Sequence, residues 1–152
     1  MLQAVFLDSG PLGLVTQRPG KSTEADDCRL WMETLLTNGV RVYIPEVADY
    51  EVRRELIRAG KTSGVTRLNV LKSLARYLPI TTDAMLLAAD LWAQARKAGV
   101  PTADARALDA DVVLVAQALT AGLPPAEIIV ASVNVRHLSR FIASDVWQNI
   151  HP

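Results

Sequence analysis

Apolar and polar residues fall in blocks along this chain, short apolar runs followed by longer stretches of helical spacing. Ala4-Val5-Phe6-Leu7 is the first such run, and an uninterrupted apolar stretch of this length predicts a strand over residues 4–8 that is buried on both faces. Ser9-Gly10-Pro11 reads as the turn beyond it and residues 17–21 as a polar loop. Ser22 or Thr23 is placed to cap a helix that carries Cys28, Leu30, Trp31, Leu35 and Leu36 and stops at Asn38-Gly39. A second strand is predicted over 41–44, and Pro45 suits the first turn of a helix that runs to about Ala59. Residues 65–77 have helical spacing, with Val65, Leu68, Val70, Leu71, Leu74 and Ala75 predicted inward. Residues 77–80 form a short strand whose Pro79 confines it to an edge or a strand end. Thr82 or Asp83 caps a long helix through Ala98, closed by Gly99. Asp104 caps a further segment that becomes the nearly all-apolar helix 112–119, and a helix apolar on all sides is buried on all sides. Strands at 127–131 and 145–150 complete the pattern.

Strands separated by helices imply an α/β fold, a three-layer α/β/α sandwich with a central, mostly parallel sheet. Its 152 residues fit one domain over 1–152, without internal repeat, low-complexity stretch or linker. Half the residues are hydrophobic and mean hydropathy is +0.18, which excludes a disordered chain. Sixteen basic and sixteen acidic residues sum to zero, which argues against a strong non-specific nucleic-acid binder but not against a nuclease with an acidic centre. The lone Cys28, in the company of Leu30, Trp31 and Met32, is expected to be a packed helix residue in a reducing compartment. No targeting segment is visible and no apolar run approaches the ~20 residues of a membrane helix, so a soluble, cytoplasmic protein is expected.

The chemistry lies in the acids that interrupt this pattern. Open parallel sheets bind ligands outside the carboxyl ends of their strands, and oxygens converging there suit Mg²⁺ or Mn²⁺. Asp8 stands at such an exit. On the helix after Pro45, at about 100° per residue, Glu51 falls on the face of Val47, Ala48, Val52 and Leu56, and a carboxylate buried there needs a cation. Glu55 shares that face one turn later, and the wheel does not separate the two: one serves a metal while the other pairs with Arg54 or Arg58. Asp111 opens the helix 112–119 beside an otherwise apolar face, whereas Asp109 projects roughly oppositely and is the better cap. Asp104, seven residues before Asp111, is placed for an outer-shell or second-metal role. Ser132 and Asn134 follow the late strand with oxygens able to orient water or ligate weakly.

Taken in order, these residues resemble the PIN-domain family, particularly VapC-type toxins of toxin–antitoxin systems. Phe6-Leu7-Asp8-Ser9-Gly10 is similar to the family's opening strand, and Ile44-Pro45 followed by Glu51 to its second acid, which favours Glu51 over Glu55. Asp111 leading into Val112-Val113-Leu114-Val115-Ala116-Gln117-Ala118 resembles the third-acid segment, and residues 132–138 resemble the Thr-x-Asn/Asp segment near the family's end. The resemblance covers nearly the whole chain and implies a metal-dependent endoribonuclease. Asp8, Glu51 and Asp111 would ligate Mg²⁺ or Mn²⁺, while Ser132 and Asn134 position water or substrate. Arg53, Arg54, Arg58 and Lys61 become candidates for phosphate contacts, with single-stranded or structured RNA as substrate. A cognate antitoxin and a homodimer are the implied partners, and no membrane. Asn134 is neutral where many members carry a fourth carboxylate, so three negative charges would support one cation comfortably and a second only with help from substrate phosphate. His137, near where many relatives have Asp, is read as a surface or helix-start residue outside the site.

Two other Asp-using α/β enzymes do not fit. A haloacid-dehalogenase-type phosphatase would have a second Asp where Gly10 stands, and a receiver domain would have a Lys where the late strand ends in Ala131-Ser132-Val133. The competing reading is a non-catalytic PIN-like module that binds RNA or a protein, its acidic centre decayed at Asn134; Asp8→Ala would leave such a module functional.

Overall fold

The computed structural model describes residues 1–99 and 105–152. Five strands, β1 (Ala4–Leu7), β2 (Arg41–Pro45), β3 (Arg76–Leu78), β4 (Ile128–Ala131) and β5 (Ser144–Asp145), lie in the order β3-β2-β1-β4-β5. Every pairing is parallel, and central β1 sets Val5 beside Val42 on one flank and Ile129 on the other. Among the described residues seven α-helices connect them: α1 (Ser9–Val15), α2 (Thr23–Thr37), α3 (Glu46–Arg58), α4 (Thr62–Leu74), α5 (Thr82–Lys97), α6 (Ala105–Leu119) and α7 (Val135–Leu138).

The three layers follow from the twofold alternation of side chains along each strand. Ala4, Phe6, Ile128 and Val130 point into one core with residues of α5 and α6, where Phe6 stacks on Tyr43 at 4.8 Å. Val5, Leu7, Val42 and Ile44 point into the opposite core with residues of α1, α2 and α4. Each fully buried side chain of this size stabilises the fold by roughly 1.5–3 kcal/mol. Helix α3 belongs to both cores, sending Val47 to one and Ala48 and Val52 to the other. That position makes α3 the seam of the molecule. No helix among the described residues is long and apolar enough to cross a membrane.

Several boundaries differ from the sequence expectation. Residues 9–11 are not a turn but the first turn of α1: Asp8 caps it by accepting from the Ser9 N–H, and Pro11 falls where a helix has no partner for an N–H. Helix α4 begins three residues earlier than expected, and it leaves Val70 and Leu74 exposed, while of the side chains expected inward Leu68 alone is buried. The strand expected at 77–80 is β3, one residue earlier and at the sheet edge, ended by Pro79. Residues 125–127 form a 3-10 turn before β4. Only two residues of the expected last strand pair, because Trp147–Asn149 turns as a 3-10 helix that tilts Trp147 against Trp31. Cys28 is packed as expected, and burial pushes its thiol up to about 12.

Helix α6 is the largest departure. It starts by Ala105, so Asp111 sits in its second turn rather than at its mouth, and Asp109 is an exposed mid-helix residue rather than a cap. The apolar run was only its buried half; Arg106 and Asp109 continue the helix along a solvent-facing stripe. Asp104, the expected cap, lies outside the described residues.

Candidate active site

Asp8 follows β1 and Ser132 follows β4, and parallel pairing sets these two strand exits side by side: the Asp8 N–H donates to Ala131 O at 3.0 Å. Both Asp8 oxygens are held. Oδ1 accepts from the Ser9 N–H at 2.7 Å, and Oδ2 accepts from the Ser132 hydroxyl at 2.6 Å. Ser132 Oγ in turn accepts from the Asn134 N–H at 2.9 Å. A relay thus runs from the backbone of Asn134 to the carboxylate of Asp8. The Asn134 side chain is exposed and makes no cap bond to α7, so the structure brings its backbone, not its amide, into this network.

Glu51 reaches the same strand ends from the second turn of α3, half-buried, and Asp111 from α6, buried. Burial raises the pKa of all three acids. Next in weight, the Asp8 charge pushes up both Glu51 and Asp111; at Glu51 a lowering by Arg54 follows, and after it a smaller raising by Asp111. Asp111 rises to about 6. Carboxylates that feel one another in a partly dry site repel, and a cation relieves the repulsion. Among the described residues no three His, Cys, Asp or Glu side chains are drawn together closely enough to hold a metal ion as they stand. The donor set fits a hard divalent cation in kind, being carboxylate oxygen throughout. Asp8 is pinned, while Glu51 has the longer side chain and the freedom to adjust.

His137, which the sequence reading set aside, stands beside Asp111, its Nδ1 3.6 Å from Oδ2. The one signal that could have found it is its place three residues after Asn134, one turn along α7. Glu55 and Glu51 are separated by the fold: Glu55 is exposed and pairs with Arg58 at 2.7 Å. Of the four candidate phosphate contacts, Arg53 is engaged in a fork with the buried Asp49, at 2.8 and 3.0 Å. Arg54, Arg58 and Lys61 line a cleft of about 710 Å³ between α1 and α3, which also holds Ser9 and Glu51. On the other side of α3 a second cleft, of about 690 Å³, opens toward α6. Glu51 and Arg54 line both.

No protein-family model matches the chain, and no curated protein matches it in sequence. Solved structures do. A chain of VapBC2 from Rickettsia felis, in a complex bound to a DNA fragment from its promoter, superposes with a TM-score of 0.72 at 11% identity, covering 95% of this chain and 99% of that one. The fold is PIN-like, the α/β architecture of a chain in that complex. The same fold relates the chain to FitAcB from Neisseria gonorrhoeae (TM-score 0.64, 18% identity, 96% of this chain and 99% of that one). DNA-bound VapBC from Salmonella typhimurium is similar too (TM-score 0.60, 18% identity, 97% and 99%). At these identities the likeness is one of architecture. Within this PIN fold, Asp8, Glu51, Asp111 and Ser132 all lie at the carboxyl ends of the parallel strands, where open α/β sheets place their ligands.

Proposed function

We infer that the chain is a metal-dependent endoribonuclease and the toxin of a toxin–antitoxin pair. The observation that carries this reading is the placement of Asp8, Glu51 and Asp111, three acids from three separate elements, at the carboxyl ends of the parallel strands, where the Asp8 charge reaches both of the others. A fold gains no stability from such a grouping, so its use is in binding a cation. Asp8, Glu51 and Asp111 would hold Mg²⁺ or Mn²⁺, which would supply Lewis acidity toward a phosphodiester and lower the pKa of a nearby water. Ser132 fixes the Asp8 carboxylate in one orientation, and the Asn134 N–H fixes Ser132. Arg54, beside Glu51 on the rim of both clefts, is placed to hold a phosphate flanking the cut bond. The assembly of similar chains in VapBC complexes supports an antitoxin partner, one that screens the acidic crevice.

Purified protein incubated with structured and unstructured RNAs in Mn²⁺, Mg²⁺ or EDTA tests the reading, with Asp8→Ala and Asp111→Ala run alongside after a folding check. Cleavage that needs metal and vanishes in both variants is the expected result. Cleavage in EDTA, or full activity in both variants, would sink it. RNA binding without cleavage, together with no Mn²⁺ binding by calorimetry, would favour the non-catalytic module.

A further inference from the structure

Helix α3 is a ridge between two clefts of similar volume and opposite character. The α1 side is basic: Arg18, Lys21, Arg54, Arg58, Lys61 and Arg67 line it against Glu51 and Glu55. Such a trough attracts the phosphates of a nucleic-acid strand. The α6 side is balanced, with Arg54 and Arg106 against Glu51 and Asp109, and gives a phosphate no preference. Its floor is apolar, made by Val47, Ala110 and Val113. On its wall stands Tyr50, 60% exposed, with the Arg54 guanidinium 5.1 Å from the ring centroid. Spacing explains the shape: Val47, Tyr50, Glu51 and Arg54 share one face of α3, and Arg106, Asp109, Ala110 and Val113 one face of α6. An exposed aromatic ring backed by a guanidinium, over an apolar floor with polar edges, matches a flat heterocycle and not a charged backbone.

We propose that the cleft between α3 and α6 seats one unstacked nucleobase of a single-stranded RNA, against Tyr50 and Arg54, on the opposite side of the ridge from the strand's phosphate track. The inference rests on the ribonuclease reading and deepens it. A strand crossing the crest at Glu51 places its backbone on the α1 side and turns one base down on the α6 side. A rigid duplex cannot make that turn without unpairing, so the site selects single strands.

The test is equilibrium binding of short single-stranded RNAs in EDTA, where metal-dependent cutting is off, using wild type, Tyr50→Phe and Tyr50→Ala. Each RNA is also made with an abasic nucleotide at successive positions. Tyr50→Ala should weaken binding about tenfold, the scale of one lost stacking contact, and Tyr50→Phe by no more than about twofold. One abasic position should weaken wild type by a similar factor and Tyr50→Ala by nothing further. Equal binding by wild type and Tyr50→Ala, losses that multiply instead of coinciding, or no RNA binding by wild type would each overturn the base seat. Parallel incubation with Mn²⁺ separates the two readings. Coincident losses without any cleavage leave the base seat standing and remove the ribonuclease; cleavage indifferent to Tyr50 in both binding and KM does the reverse.

Discussion

A single carboxylate shows how the centre opposes the stability of the metal-free fold. Asp111 has its pKa raised from 3.8 to about 6 by burial and by Asp8. Below pH 3.8 the folded and unfolded chains both keep this proton. Between there and about 6 the unfolded chain has lost it and the folded chain has not, so the relative stability declines as pH rises through that window and stays low above it. Asp111→Asn removes the titration. Denaturant unfolding in EDTA should find the variant more stable than wild type by about 2 kcal/mol at pH 7.5, with the gap closing toward pH 4. Ser132→Ala has the opposite character, since it removes a hydrogen bond that lowers the Asp8 pKa and leaves the Asn134 N–H without its acceptor. Mn²⁺ affinity by calorimetry should fall roughly tenfold or more, as for other groups that orient a metal ligand. At this scale the sequence was partly legible. Asp8 announced itself by ending an apolar run. Glu51 and Glu55 share a helix face, so periodicity could not part them; the fold does, through the Asp8 field on one and Arg58 on the other. His137 offered only its spacing from Asn134, because its closeness to Asp111 is a contact between α7 and α6, far apart in sequence.

Between elements, Gln117 ties the parts that carry the acids. It is 1% exposed on α6; its Oε1 accepts from the Val47 N–H at the start of α3 at 3.2 Å, and its Nε2 donates to Leu78 O at the end of β3 at 2.8 Å. Helices α3 and α6, bearing Glu51 and Asp111, are therefore joined by one side chain. Gln117→Leu would strand a buried donor and a partly buried acceptor, and thermal or denaturant unfolding should register a loss of about 2–3 kcal/mol. Sequence reading placed the five strands and helices α2 to α6 in order, but it gave no helix for α1 or α7 and erred at ends, where the deciding partner is distant. Pro11 looked like a turn because its tolerance inside α1 depends on Asp8 as cap. The start of α6 was misplaced because an apolar run marks where a helix is buried and not where it begins.

For the molecule as a whole, zero net charge conceals an uneven distribution, with six cations against two acids in the α1-side cleft. Binding of single-stranded RNA should weaken with salt, with a log–log slope of about −2 to −3, the release expected from roughly three or four phosphates. A slope near zero in a filter-binding series would contradict a phosphate track there. The sheet itself has a consequence for assembly. It ends in strands of three residues at β3 and two at β5, with Pro79 directly after the first and a 3-10 turn soon after the second. Neither border offers a row of open amides and carbonyls long enough to template another strand. Copies of this chain therefore have little to zip onto edge to edge, which guards a concentrated solution against fibrous growth and leaves side chains, not backbone, to decide which neighbours are admitted.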